Sequence, residues 1–135
     1  MLLPHGAVIA LVDGENWTLL RNAGNEATPD LAELPTPHID EHNHSGSGGR
    51  HGPTASNPSP RQMHEDAHAG AVAEWLNQQV IGHKIEHLVV IAPPRTLGEL
   101  RHHYAKQVSQ VLLGEVAKDL IGRKPDEVLA ALRGK

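Results

Sequence analysis

The chain has 135 residues, which suggests one domain able to bury roughly two-thirds of the surface its unfolded form exposes. Its formal charge of −4 argues against a protein that coats nucleic acid indiscriminately, and the absence of cysteine excludes disulfides and thiolate metal centres. With no phenylalanine, one tyrosine (Tyr104) and two tryptophans (Trp17 and Trp75), the core must be aliphatic. The start, Met1-Leu2-Leu3-Pro4-His5, has no basic segment and no long apolar one, so neither a signal peptide nor a membrane span is expected. A cytoplasmic setting fits both that start and the lack of cysteine.

Gly6 to Val12 is apolar and β-rich, as expected of a buried strand. Asp13-Gly14 is a hairpin dipeptide, and Glu15 to Arg21 supplies a second strand with Trp17 and Leu19 on one face. After a turn at Asn22-Ala23-Gly24-Asn25, Leu31 to Ile39 reads as a third strand that Pro35 and Pro37 confine to an edge. Residues 40–60 are rich in Gly, Pro, Ser and His with almost nothing apolar, the composition of a flexible or functional loop. Arg61 to Ile81 is helical: Val72, Trp75, Leu76 and Val80 form one stripe, His68 lies on the same side, and Gly82 stops it. Leu88-Val89-Val90-Ile91-Ala92 is uninterruptedly apolar, which predicts a strand over 87–92 covered on both faces. Pro93-Pro94 ends it. Thr96 has N-cap chemistry, and Glu99 three residues on completes a capping box for a helix over 97–107. Val108, Leu112 and Val116 fit a helical stripe, but a strand at about 109–116 is preferred because the next segment supplies a helix. Pro125 opens that helix, which runs to Arg133 with Val128, Leu129 and Leu132 as its stripe. The order β-β-β-α-β-α-β-α describes a single α/β domain with a mixed sheet of about five strands, ribonuclease-H-like in arrangement.

Charge is uneven along the chain. Residues 1–74 carry ten acids and three bases, and residues 75–135 carry six acids and nine bases. Arg95, Arg101, Lys106, Lys118, Arg123 and Lys124 make the second part a candidate basic surface, with solvated helix faces as the simpler reading. Strand-to-helix turns at the carboxyl edge of a sheet are common ligand sites, so Arg95 and Thr96 form a candidate anion site. Arg101, one and a half turns on, need not face the same side. The simpler reading is a solvated Arg95 and a capping Thr96.

His64-Glu65-Asp66-Ala67-His68 matches HExxH, in which two histidines one turn apart share a metal and the glutamate polarises water. A metal-dependent hydrolase needs a third ligand and a cleft as well. Among eleven histidines a chance match is unremarkable, and His68 falls on the apolar side of its helix. His38, His42, His44 and His51 can take up Zn or Ni adventitiously, but their spacing is irregular. Asp13, with Glu65, Asp66 and Asp119, offers carboxylates to a two-metal nuclease, although the strand 87–92 ends without an acid. No phosphate-binding glycine loop or nucleophile elbow is present. No catalytic residue and no cofactor are therefore expected.

Leu3-Pro4-His5-Gly6, the run from Leu88 to Arg101, and Glu115-Val116-Ala117-Lys118-Asp119-Leu120 together resemble the bacterial host attachment proteins, named for a role in attachment to host cells. That family is distantly similar to the middle domain of archaeal and eukaryotic class-I peptide release factors. The resemblance spans nearly the whole chain apart from residues 40–60 and implies a release-factor-like domain. It places a loop tip at Gly48, Gly49 and Arg50, where the release factors carry Gly-Gly-Gln. The arginine departs from the glutamine that peptide release requires. The resemblance thus implies a non-catalytic binding module that contacts RNA or the ribosome, with the hydrolase of His64 and His68 as the alternative. A homodimer through apolar surface around Trp17 or Trp75 is a further expectation.

Overall fold

The computed structural model of the protein describes residues 1–39 and 59–133. The loop tip Gly48-Gly49-Arg50 and the histidines His42, His44 and His51 lie outside them. Five strands, β1 (Val8–Val12), β2 (Trp17–Asn22), β3 (Leu31–Leu34), β4 (Leu88–Ala92) and β5 (Leu112–Ala117), form one sheet in the order β3-β2-β1-β4-β5. β2 is antiparallel to β1 and to β3, whereas β4 runs parallel to both β1 and β5. The described helices are α1 (Pro60–Ile81), α2 (Pro94–His103), α3 (Lys106–Val111) and α4 (Pro125–Arg133). The expected α/β domain with a five-stranded mixed sheet is present.

The apolar runs of β1 and β4 are central strands, and every residue in them is buried. Alternate residues serve two cores, as the two-residue period of a strand requires. Val8, Ala10, Val12, Leu88, Val90 and Ala92 meet α1, α2 and α3 on one face. Ile9, Leu11, Val89 and Ile91 meet Leu3 and the α4 residues Val128, Leu129 and Leu132 on the other. Full burial of each such aliphatic side chain contributes about 1.5–3 kcal/mol. Trp17 of β2 packs edge-on against Trp75 of α1, with ring centroids 5.3 Å apart and planes at 69°. The contact buries Trp17 within its own chain.

Several local expectations are corrected. The hairpin between β1 and β2 forms, but its loop is Asp13 to Asn16 rather than a two-residue turn. The Asp13 carboxylate accepts the N–H groups of Glu15 (2.8 Å) and Asn16 (2.6 Å), which stabilises the longer loop. β3 stops at Leu34, one residue before Pro35. α2 begins at Pro94, two residues ahead of Thr96, because the fixed φ of proline suits a first helical turn. Its cap position is Pro93, with no side-chain cap, so Thr96 lies inside the helix and the Thr96–Glu99 capping box does not form. The helix expected over 97–107 breaks after His103. Asn77 of α1 donates to the His103 carbonyl and accepts the Ala105 N–H, each at 2.8 Å, and so holds the bend between α2 and α3. β5 then lies at 112–117.

A second buried amide fixes the far end of the hairpin. Asn22 Nδ2 donates to the Leu3 carbonyl at 2.9 Å, and its Oδ1 accepts the N–H groups of Gly24 and Asp30, both at 2.9 Å. One side chain thereby ties the N-terminal segment, the turn and the entry to β3 together.

Candidate functional site at the carboxyl edge

The parallel strands β1, β4 and β5 all finish at one edge of the sheet, so Asp13-Gly14, Pro93-Pro94-Arg95 and Lys118-Asp119 follow one another along it. α1 runs back against β4 and therefore starts at this same edge, capped by Ser59 Oγ, which accepts the Gln62 N–H at 3.1 Å. Its first turns deliver Glu65 to the hairpin and Asp66 to α2. A β-carbon at Gly14 would lie 2.8 Å from Glu65 Cδ, so glycine makes the room that Glu65 occupies. Arg95 Nη2 stands 4.0 Å from Asp66 Oδ1, and Arg61 Nε donates to Glu65 Oε2 at 3.1 Å. One turn along α2, His103 Nε2 lies 3.1 Å from Glu99 Oε2. Glu99, read from the sequence as a capping-box residue, pairs instead with His103, and their i, i+4 spacing is the signal for that pair.

Burial pushes the Asp66 carboxyl above its ordinary value, and the neighbouring Glu99 adds to the rise. Arg95 opposes it, Glu65 raises it further and His103 lowers it. The edge is thus a braced mixture of acids and bases. On the far side of α2, Arg101 donates to Glu115 Oε1 of β5 through Nε (3.0 Å) and Nη2 (2.9 Å), which raises the guanidinium pKa. Burial, with the Glu115 charge adding, pushes the Tyr104 phenol well above its ordinary value.

The structure therefore sends Arg95 and Arg101 to acids on different elements, Asp66 on α1 and Glu115 on β5. Pro93 and Pro94 have no N–H, and the Leu97 N–H is bonded to the Pro93 carbonyl at 2.9 Å. Only the N–H groups of Arg95 and Thr96 remain at the start of α2 to meet an anion. His64 is exposed whereas His68 is 2 % exposed, so the two histidines of the HExxH match do not present one open face. The Asp13 carboxylate serves its own turn, and Asp119 Oδ1 accepts the Ile121 N–H at 3.2 Å. Among the described residues no group of three or more His, Asp or Glu side chains is arranged to hold a metal ion. Likewise, no described helix is long and apolar enough to cross a membrane.

Comparison with known proteins gives one family. The model of bacterial archaeo-eukaryotic release factor family 12 matches residues 6–132. No curated protein matches the chain. The match supports the release-factor side of the resemblance and does not carry the host-attachment name. A five-stranded mixed sheet and a match running from β1 through α4 point the same way: the chain belongs to bacterial archaeo-eukaryotic release factor family 12.

Proposed function

We propose that the protein is a non-catalytic binding module that contacts RNA of the translation machinery. The family match over residues 6–132 is the observation that carries this reading. The placement of charge supports it. Arg95, Lys106 and Lys118 are exposed in the segments that follow β4 and β5, within a half of the chain that has nine bases and six acids. Exposed bases meet phosphates without needing a base-specific pocket. The hydrolase alternative draws no support from the separated positions of His64 and His68.

The test is co-sedimentation of the tagged chain with ribosomes from a lysate, with and without ribonuclease and over a salt series. The expected result is ribosome-associated protein that ribonuclease releases and that salt weakens steeply, as phosphate contacts require. Lys118→Glu combined with Lys106→Glu should reduce the bound fraction without changing the far-UV circular dichroism. Recovery that is indifferent to ribonuclease, salt and both substitutions would sink the reading. Purified protein incubated with structured and single-stranded RNA in Mg²⁺ or Mn²⁺ should leave the RNA intact.

A further inference from the structure

The amino edge of the sheet, opposite the edge just described, holds a pocket of about 420 Å³ between the last turns of α1 and the adjoining face of β1, β2 and β3. That is the size of a small-ligand site. Its apolar wall includes Leu19 and Trp75. Arg21, Lys84, His5 and His87 also line it, against one acid, Glu86.

Arg21 and Lys84 are both exposed residues of this lining. On β2 the side facing α1 carries Trp17 and Leu19, and the next residue in that alternation is Arg21. β2 is paired on both sides, so a cation occupies the apolar side of an internal strand. Among the described residues Arg21 and Lys84 make no ion pair, as is also true of Lys106, Lys118, Lys124 and Arg133. Gly6, at φ +84°, lies beside the Arg21 side chain, and a β-carbon there would meet Nη2 at an ordinary van der Waals distance of 3.6 Å. His83, at φ 61°, turns the chain after α1, and the Lys84 N–H then bonds the Gln79 carbonyl at 2.9 Å. Both are left-handed positions, and for His83 that conformation is uncommon.

We infer that this pocket binds a nucleoside monophosphate, its phosphate held by Arg21 and Lys84 and its base against Trp75 and Leu19. The guanidinium fork and the ammonium supply the two charges a phosphate monoester calls for. The aromatic wall suits a planar ring better than a sugar. The volume accommodates one nucleoside and one phosphate.

Isothermal titration of the full chain with AMP, GMP, CMP and UMP, with adenosine and with inorganic phosphate tests this. At least one monophosphate should bind, and its affinity should fall about tenfold or more when the phosphate is removed or when Lys84 is changed to Met. Arg21→Met should do the same. Lys84 is exposed in a connection, so its variant keeps the fold even if Arg21→Met perturbs the sheet. Arg133→Met, at the exposed end of α4, should bind as the wild type does. Binding by none of the four monophosphates overturns the inference. So does equal binding of adenosine, equal binding of inorganic phosphate, or undiminished affinity in Lys84→Met.

Discussion

Replacing Asn22 by leucine would preserve a buried side chain of similar bulk but strand the Leu3 carbonyl and the N–H groups of Gly24 and Asp30. The bond to Leu3 is buried and those from Gly24 and Asp30 are part-buried; an unmade buried bond costs about 1–3 kcal/mol, so Asn22→Leu should lower the unfolding free energy by about 2 kcal/mol in urea titrations. Gly24→Ala should also destabilise strongly, because its β-carbon would strike the Thr28 carbonyl oxygen, a backbone atom that cannot swing aside. Asp66 gives a pH-dependent outcome. Its folded pKa lies above the ordinary 3.8, so the native state holds the proton more tightly than the unfolded state does. The resulting contribution is present below that ordinary value and is lost as pH rises through the raised one. Asp66→Asn should therefore raise the thermal midpoint at neutral pH, and the gain should vanish in acid. Arg95→Ala should lower the neutral-pH midpoint, because it removes the cation that offsets the burial of Asp66. The buried amides were not legible as such: Asn22 and its neighbours read as turn residues, and nothing local marks a side chain that reaches back to Leu3.

At the scale of elements, β1, β4, α1 and α4 are legible in the sequence because their signals are local. Two are unbroken aliphatic runs, and two are apolar stripes at helical spacing, the second opened by Pro125. The α2–α3 break is not legible, because the group that imposes it, Asn77, lies 26 residues before His103. Nor is the start of α2, where Pro94 competes successfully with the Thr96–Glu99 capping signal. Asn77→Ala should release the His103 carbonyl and the Ala105 N–H. The expected outcome is a stability loss of about 1–3 kcal/mol together with increased helical circular dichroism, as α2 is freed to run on. An unchanged helical signal would show instead that the bend is dictated locally by Tyr104-Ala105.

For the molecule as a whole, two cores on opposite faces of one sheet make folding a joint event. α1, α2 and α3 cover one face while Leu3 and α4 cover the other, so β1 and β4 are completed only when both layers are in place. Tyr104, the sole phenol, reports on that closure. Its raised pKa means that the unfolded chain releases the proton at a lower pH than the folded one. Stability should accordingly decline as pH climbs above the ordinary 10.0. Phenolate absorbance should appear together with loss of the circular dichroism signal, not before it. The candidate site was legible only in outline. Arg95 and Thr96 are found at a strand-to-helix turn, but their acid neighbours arrive from α1, which only the fold brings near. The pocket had a subtler marker in Arg21, a charge at an otherwise apolar position of the Trp17–Leu19 alternation.

The edge-on packing of Trp17 against Trp75 has a practical corollary. These are the only indoles in the chain, and they join the hairpin to the long helix, so intrinsic emission and near-ultraviolet ellipticity report whether that helix is seated. Because Trp75 also faces the amino-edge cavity, an unlabelled sample carries its own optical gauge, through which occupancy and helix docking can be followed in a single cuvette.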